Sequence, residues 1–191
     1  MRAAFLDRDG VINLDLGYVY RQEDFRFVPG ALQACRVLSE SGLGLFVVTN
    51  QSGIGRGLFT EEDFRSITRY MCDELGRAGA PVLKVYHCPH HPEAKIARYR
   101  VACECRKPKP GMILEAAREF GVDLASSVLF GDSPRDIEAG SAAGVGERVI
   151  LGRDGLEEPE TLPRGATAGF RNLLDAVRSP WFQKFLQRPT S

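Results

Sequence analysis

Arg2-Ala-Ala-Phe-Leu-Asp-Arg-Asp-Gly-Val-Ile-Asn13 is the stretch on which the fold turns. Ala3 to Leu6 is a short, unbroken apolar run, which reads as a strand buried on both faces of a parallel sheet. Asp7 and Asp9 follow it, so both carboxylates stand at the strand's carboxyl end, where open α/β sheets bind ligands. Gly10 then permits a tight turn. On these residues alone a plain Asp/Gly turn is the competing reading.

The rest of the chain repeats the design. Apolar runs at Leu43–Val48, Val82–Tyr86, Ser127–Phe130 and Val149–Leu151 read as four more strands. Helical spacing lies between them. Ala31–Ser41 turns Leu32, Cys35, Val37 and Leu38 inward. A helix entered at Thr60, with Asp63 three residues on, runs to about Arg77 on a stripe of Phe64, Ile67, Met71 and Leu75, with Cys72 also facing the core. Met112–Phe120 places Ile113, Leu114, Ala117 and Phe120 inward, and Ile137–Ala143 follows. Residues 14–27 and 156–169 read as loops. Asn172–Arg178 is a short amphipathic helix. Trp181, Phe182, Phe185 and Leu186 suggest a docking tail, so that a tail helix occupies about 170–187. Strands alternating with helices predict one α/β domain over 1–191, built on a doubly wound parallel sheet. Right-handed crossovers bring every strand's carboxyl end to one edge.

Lys and Arg number 25, as do Asp and Glu, so the formal net charge is zero. That balance argues against nucleic acid or an anionic membrane as the main partner. No apolar run approaches the ~20 residues of a membrane span. No signal peptide precedes the first strand, so a cytoplasmic protein is expected. Five cysteines, an odd number, argue against a disulfide framework.

Polar clusters cap the strands. Thr49-Asn-Gln-Ser-Gly-Ile-Gly-Arg-Gly57 is a glycine-rich loop able to aim backbone N–H groups and a hydroxyl at an anion. A flexible turn is the bland alternative, and the Walker pattern is absent. Cys88-Pro-His90, twelve residues, then Cys103-Glu-Cys105 make a Cys3His set, the preference of structural zinc. His87 and His91 are extra. A zinc staple over 88–105 makes physical sense, because a long aperiodic loop is otherwise costly to order. Arg106-Lys-Pro-Lys109 puts three cations in four residues, a fixed positive group for a phosphate or a solvated basic turn. Gly131-Asp132 ends the fourth strand. Ser133, Pro134 and Asp136 form a capping-box pattern, so Asp136 reads as a cap or a supporting residue. Two leading acids with Asp132 nearby suit Mg²⁺. A hydroxyl, amides and a lysine facing them suit a phosphoryl group. One leading acid can act as nucleophile and the other can shuttle the proton.

Asp7-Arg-Asp-Gly10, Thr49-Asn50, Lys107 and Gly131-Asp132 resemble the four motifs of the haloacid dehalogenase superfamily, over residues 2 to about 151. The resemblance implies a Rossmann-like fold in which Asp7 attacks phosphorus and Asp9 protonates the leaving oxygen, then activates water. By it, Thr49 and Lys107 neutralise the phosphoryl charge. Mg²⁺ would sit on Asp7, Asp132 and the backbone carbonyl of Asp9. More narrowly, F-L-D-R-D-G, D-x-G-Y-V, T-N-Q-S-G-I-G-R-G, C-P-H-H-P and C-x-C-R-K-P-x-P-G-M are similar to the heptose-bisphosphate phosphatase family. That likeness implies a zinc loop in place of a large cap domain. It also implies substrate contacts at Asp15, Gly17, Tyr18, Thr49, Asn50, Gln51, Ser52, Arg106 and Lys107. The expected partner is a phosphorylated sugar, met by a monomer. The expected reaction removes the 7-phosphate of a heptose 1,7-bisphosphate in ADP-heptose synthesis for lipopolysaccharide. Histidinol-phosphate phosphatases share the acids and the clip and are the nearest rival. A non-catalytic zinc-stapled binding module is the rival from another class.

Overall fold

A computed structural model describes residues 1–155, 157, 159 and 161–188. Six strands form one sheet, in the order β3-β2-β1-β4-β5-β6. They are β1 (Ala3–Leu6), β2 (Gly44–Asn50), β3 (Val82–Cys88), β4 (Val128–Gly131), β5 (Glu147–Leu151) and β6 (Ala168–Phe170), and every neighbouring pair is parallel. The strand order reverses between β1 and β4, which places a crevice beyond their carboxyl ends. Leu6 pairs with Phe130 and the Asp7 amide donates to the Phe130 carbonyl at 3.0 Å, so the two acid-bearing tips run side by side.

Alternation along β1 explains why the sheet is covered twice. Ala4 and Leu6 join a core with α1 (Ala31–Glu40), α3 (Glu61–Arg77), α6 (Leu173–Arg178) and α7 (Pro180–Leu186). Ala3 and Phe5 join the opposite core with α4 (Gly111–Phe120) and α5 (Pro134–Ala143). Side chains two residues apart share a face, and each face of β1 meets its own helical layer. A smaller cluster of Ile54, Phe59, Phe64, Ala94 and Tyr99 packs beneath the cysteine-rich loop. No large cap is inserted among the described residues, and the doubly wound expectation is met.

Local chemistry sets the helix ends. Thr60 and Asp63 form a reciprocal capping box on α3, and Ser133 with Asp136 forms another on α5, behind Pro134. The Phe185 and Leu186 carbonyls accept from the Arg2 guanidinium, which lies 4.5 Å from the Phe185 ring and ties the tail to the first strand.

Several sequence expectations change. Thr49 and Asn50 belong to β2, and Ser52–Gly55 forms a short helix, α2, within the expected loop. The parallel register with β3 continues to Asn50 and Cys88, which holds those polar residues in the ladder. Part of the loop expected at 156–169 is β6, a three-residue edge strand too brief and glycine-containing to carry a period. The single tail helix is two helices, because Ser179 is extended, caps α7 and precedes Pro180. Leu114 is 39% exposed, its place inside taken by Met112 and Ala116. The loop reading at 156, 158 and 160, and the domain reading at 189–191, fall outside the described residues. No helix among those described is long and apolar enough to cross a membrane.

The tail is part of the core, since Phe182 is fully buried with Trp181 and Phe185 around it. Phe182→Ala is expected to lower unfolding stability by about 3–5 kcal/mol, read as a shifted midpoint in urea titration. An unchanged midpoint refutes tail docking.

Candidate active site

Four strand ends converge on a cleft of about 890 Å³. Asp7, Asp9, Asp15, Gly17, Tyr18, Thr49, Asn50, Gln51, Ser52, Lys107 and Asp132 all line it, as do Arg135, Asp136 and Arg153. Arg106 does not. Its guanidinium donates to the His90 carbonyl at 3.1 Å, which turns it toward the cysteine loop. Lys109, the third cation of that run, pairs with exposed Glu104.

Lys107 is the centre of the floor. Its side chain is only 3% exposed, and Nζ reaches Asp7 Oδ1 at 2.9 Å, Asp136 Oδ1 at 2.5 Å and the Val48 carbonyl at 2.7 Å. The ammonium thus donates to one carbonyl and is paired with two carboxylates. Burial pulls the Lys107 pKa down, but Asp136 and Asp7 outweigh it and the group stays above its ordinary value. Asn50 holds the lysine's backbone from both sides, accepting from the Lys107 amide and donating to its carbonyl, each at 3.1 Å. The Asn50 amide is therefore committed to positioning Lys107.

The carboxylates crowd a buried space. Asp7, Asp132 and Asp136 present oxygens within 4.8 Å of one another. Burial holds Asp7 well above the usual carboxylate range; Lys107 opposes that, and Asp136, Asp132 and Asp9 add to it. Burial, then Asp136, pushes Asp132 up to about 7. Acids this close, sharing one lysine, form a donor set that suits a hard divalent cation. Gly10 makes the approach possible: at φ +81°, a Cβ there would lie 2.1 Å from Asp132 Oδ2. Gly131 likewise leaves room for Asp136, whose Cβ would be 2.2 Å from an added methyl group.

The Asp9 carboxylate lies outside that cluster and is held differently. Asn13 donates to Oδ1 at 3.0 Å and Gln51 to Oδ2 at 2.9 Å. Gln51 also donates to the Thr49 hydroxyl at 2.9 Å, linking the ends of β1 and β2. On the rim, Asp15 accepts from the Gly17 amide and donates its own amide to Asp154 at 2.6 Å. Arg153 lies 3.7 Å from the Asp15 carboxylate.

Cys88, His90, Cys103 and Cys105 come together as a second group. Sulfur separations are 3.6 Å for Cys88–Cys103 and 3.0 Å for Cys88–Cys105, and His90 Nδ1 is 3.6 and 3.3 Å from Cys88 and Cys105. A tetrahedron with metal–sulfur bonds of about 2.3 Å has sulfur–sulfur edges of roughly 3.8 Å, so the four atoms stand near the corners a zinc ion needs. His87 instead pairs with Glu61 at 3.0 Å, and His91 meets the Arg56 guanidinium at 3.1 Å.

The sequence did not single out Arg135 or Arg153 as cleft residues, because nothing local separates them from surface arginines. Asp136 was legible as a cap. Its contact with Lys107 was not, because the cap alone accounts for an acid at that spacing.

Residues 1–144 match the family described as haloacid dehalogenase-like hydrolase. The chain belongs to that family. Among curated relatives, the D-glycero-beta-D-manno-heptose-1,7-bisphosphate 7-phosphatase of Vibrio cholerae serotype O1 is 46% identical over 178 residues, spanning 92% of each chain. The Yersinia pestis phosphatase of the same name is 48% identical over 149 residues, 78% of this chain and 79% of that one. Among solved structures, the D,D-heptose 1,7-bisphosphate phosphatase of B. bronchiseptica, complexed with magnesium and phosphate, superposes with a TM-score of 0.81 at 32% identity. That match covers 96% of this chain and 99% of the other. The haloacid dehalogenase phosphatases use Mg²⁺ and an aspartyl intermediate as general features, and the carboxylate cluster here is compatible with both.

Removing the lysine should expose how much the floor depends on it. Lys107→Met leaves buried carboxylates unpaired and is expected to cost about 3–5 kcal/mol by urea titration in magnesium-free buffer at neutral pH. Asp7 titrates above its unfolded value, so the native state then holds more protons than the unfolded one. The deficit should therefore shrink as pH falls from 7 toward 5. A variant as stable as the parent at pH 7 contradicts the pairing.

Proposed function

We propose that the chain is a Mg²⁺-dependent phosphatase that removes the 7-phosphate of D-glycero-D-manno-heptose 1,7-bisphosphate through Asp7. The observation that carries this reading is the contact of Asp7 Oδ1 with Lys107 Nζ at 2.9 Å, on a cleft floor shared with Asp9, Thr49 and Asp132. The ammonium holds the Asp7 carboxylate in one orientation and leaves its other oxygen for phosphorus. Asp7 forms the new P–O bond while the sugar oxygen leaves and takes the proton from Asp9. Water then attacks phosphorus, gives its proton to Asp9, and Asp7 departs as a carboxylate. The Thr49 hydroxyl, on the cleft wall, is available to the phosphoryl oxygens. Asp7, Asp132 and the Asp9 carbonyl would hold Mg²⁺, which would supply positive charge to the transferring group. Substrate contacts are assigned to Asp15, Gly17, Tyr18, Gln51, Ser52 and Lys107 on the cleft wall; Arg106 would reach substrate only by leaving the His90 carbonyl.

The heptose bisphosphate is favoured because both relatives cited carry that name, one of them matched over 92% of this chain. The reading includes a phosphorylated sugar as partner, without nucleic acid or membrane, and a cytoplasmic monomer over residues 1–191. It also includes one structural Zn²⁺ on Cys88, His90, Cys103 and Cys105, ordering 88–105 and so fixing the backbone that leads into Lys107.

Asp7→Asn should abolish turnover with the fold retained by circular dichroism, because an amide forms no acyl phosphate; activity within tenfold of the parent excludes Asp7 as nucleophile. Comparing kcat/KM for the heptose bisphosphate and histidinol phosphate tests the substrate, and preference for the latter, or turnover of neither, selects a rival. For the clip, protein purified without added zinc should hold one zinc per chain. Cys105→Ser should lose it and slow turnover on the order of a hundredfold, the cost of misplacing a group by about 1 Å. Full activity in a zinc-free Cys105→Ser protein discards the staple.

A further inference from the structure

Between the two acids of the first motif stands Arg8, whose role the reaction above does not use. It is 1% exposed and among the largest fully buried side chains of the protein. Its Nε lies 3.3 and 3.2 Å from the two Asp9 carboxylate oxygens, and Nη2 donates to Asp9 Oδ1 at 2.9 Å. The same Nη2 donates to the Val19 carbonyl at 2.9 Å. Phe64 of α3 packs near the guanidinium, 5.9 Å from ring centroid to Cζ. Nη1 is buried with no hydrogen-bond partner among the described residues. A buried N–H left unpaired lowers stability, and a buried ion pair gives little net stability in return. Stability therefore does not explain why a guanidinium sits here.

Geometry supplies another explanation. Arg8, Asn13 and Gln51 donate to Asp9 from three sides, and only Arg8 is charged. Only Arg8 also reaches the segment after Gly17 and Tyr18 on the cleft rim, through the Val19 carbonyl. Resting on the assignment of Asp9 as the proton shuttle, we propose that Arg8 is a positioning residue that orients the Asp9 carboxylate toward the attacking water and ties it to the substrate-facing loop at Val19. A fork of two N–H groups on one carboxylate fixes its direction. The step it serves is hydrolysis of the aspartyl phosphate formed on Asp7. Water oxygen bonds to phosphorus, the Asp7–phosphorus bond breaks, and the water proton passes to Asp9.

Burst kinetics with 4-nitrophenyl phosphate separate that step from the first, because nitrophenolate leaves without needing a proton. Arg8→Met and Arg8→Lys should keep a nitrophenolate burst near one per chain. Their steady-state rate should fall on the order of ten- to hundredfold, within the range that positioned acid–base catalysis supplies. Asp9→Asn serves as the control and should show the same pattern more strongly. Equal slowing of burst and steady state in folded Arg8 variants makes Arg8 merely structural and overturns the proposal. An Asp9→Asn protein that retains its steady-state rate removes the shuttle assignment itself, independently of Arg8. Should neither Arg8 variant fold, the Arg8 Nε–H resonance of the parent decides. A protected proton that shifts in Asp9→Asn supports the proposal, and one unmoved by that change refutes it.

Discussion

A single ammonium group, Lys107 Nζ, holds together the parts on which the cleft depends. It meets Asp7 at the end of β1, the Val48 carbonyl in β2 and Asp136 in the first turn of α5. These elements come from the two halves of the sheet, on either side of the point where strand order reverses. Burying an unpaired lysine or carboxylate is prohibitively costly, so each charge here requires the others. The constraint is mutual: Asn50 fixes the lysine's backbone, while the capping box with Ser133 fixes Asp136. A group held on every side changes little as charge develops at phosphorus, and preorganised charge is what makes such a site effective.

The lysine also explains the division of labour among four acids. Asp136 is bonded to the ammonium and to its own helix cap, so it is spent on structure. Asp7 shares the ammonium yet keeps one oxygen toward the cleft. Asp132, whose burial and acidic neighbours push it up to about 7, has no hydrogen-bond or ion-pair partner of its own among the contacts just described and is left facing Gly10. Asp9, gripped by Arg8, Asn13 and Gln51, is kept apart from the other three. Similar residues thus take different chemical roles because their surroundings differ.

The cysteine-rich segment is joined to this arrangement by chain connectivity. Cys105 immediately precedes Arg106 and Lys107, and Cys88 ends β3 beside Asn50 of β2. The Cys/His cluster therefore adjoins the end of β3 on one side and the chain leading into the lysine on the other. Arg106 is drawn toward that cluster by the His90 carbonyl, which is why it stands off the cleft that its sequence neighbour lines.

The sequence by itself determined the parallel sheet and the acids at its tips. Unbroken apolar runs such as Ala3–Leu6 have few alternatives to a doubly covered strand, and Asp7, Asp9 and Asp132 directly follow such runs. It also determined both capping boxes and the Cys3His spacing, because those signals span only a few residues or use rare side chains. What it did not contain lies between residues far apart in the chain. β6 is too short to show a period, and its pairing with β5 comes only from the assembled sheet. Leu114 fits a helical stripe, but the width of the face that α4 buries is set by packing, and Met112 and Ala116 occupy it. Asn50 read as a ligand contact; that it also clamps the Lys107 backbone was not legible, since only the fold brings it beside residue 107. Arg8 gave no local sign of its role, because a guanidinium's partners are decided by where β1, the 14–20 loop and α3 meet. Local hydrogen bonds and periodicity are written in neighbouring residues, whereas charge pairing in a buried site depends on distances that exist only once the chain has closed.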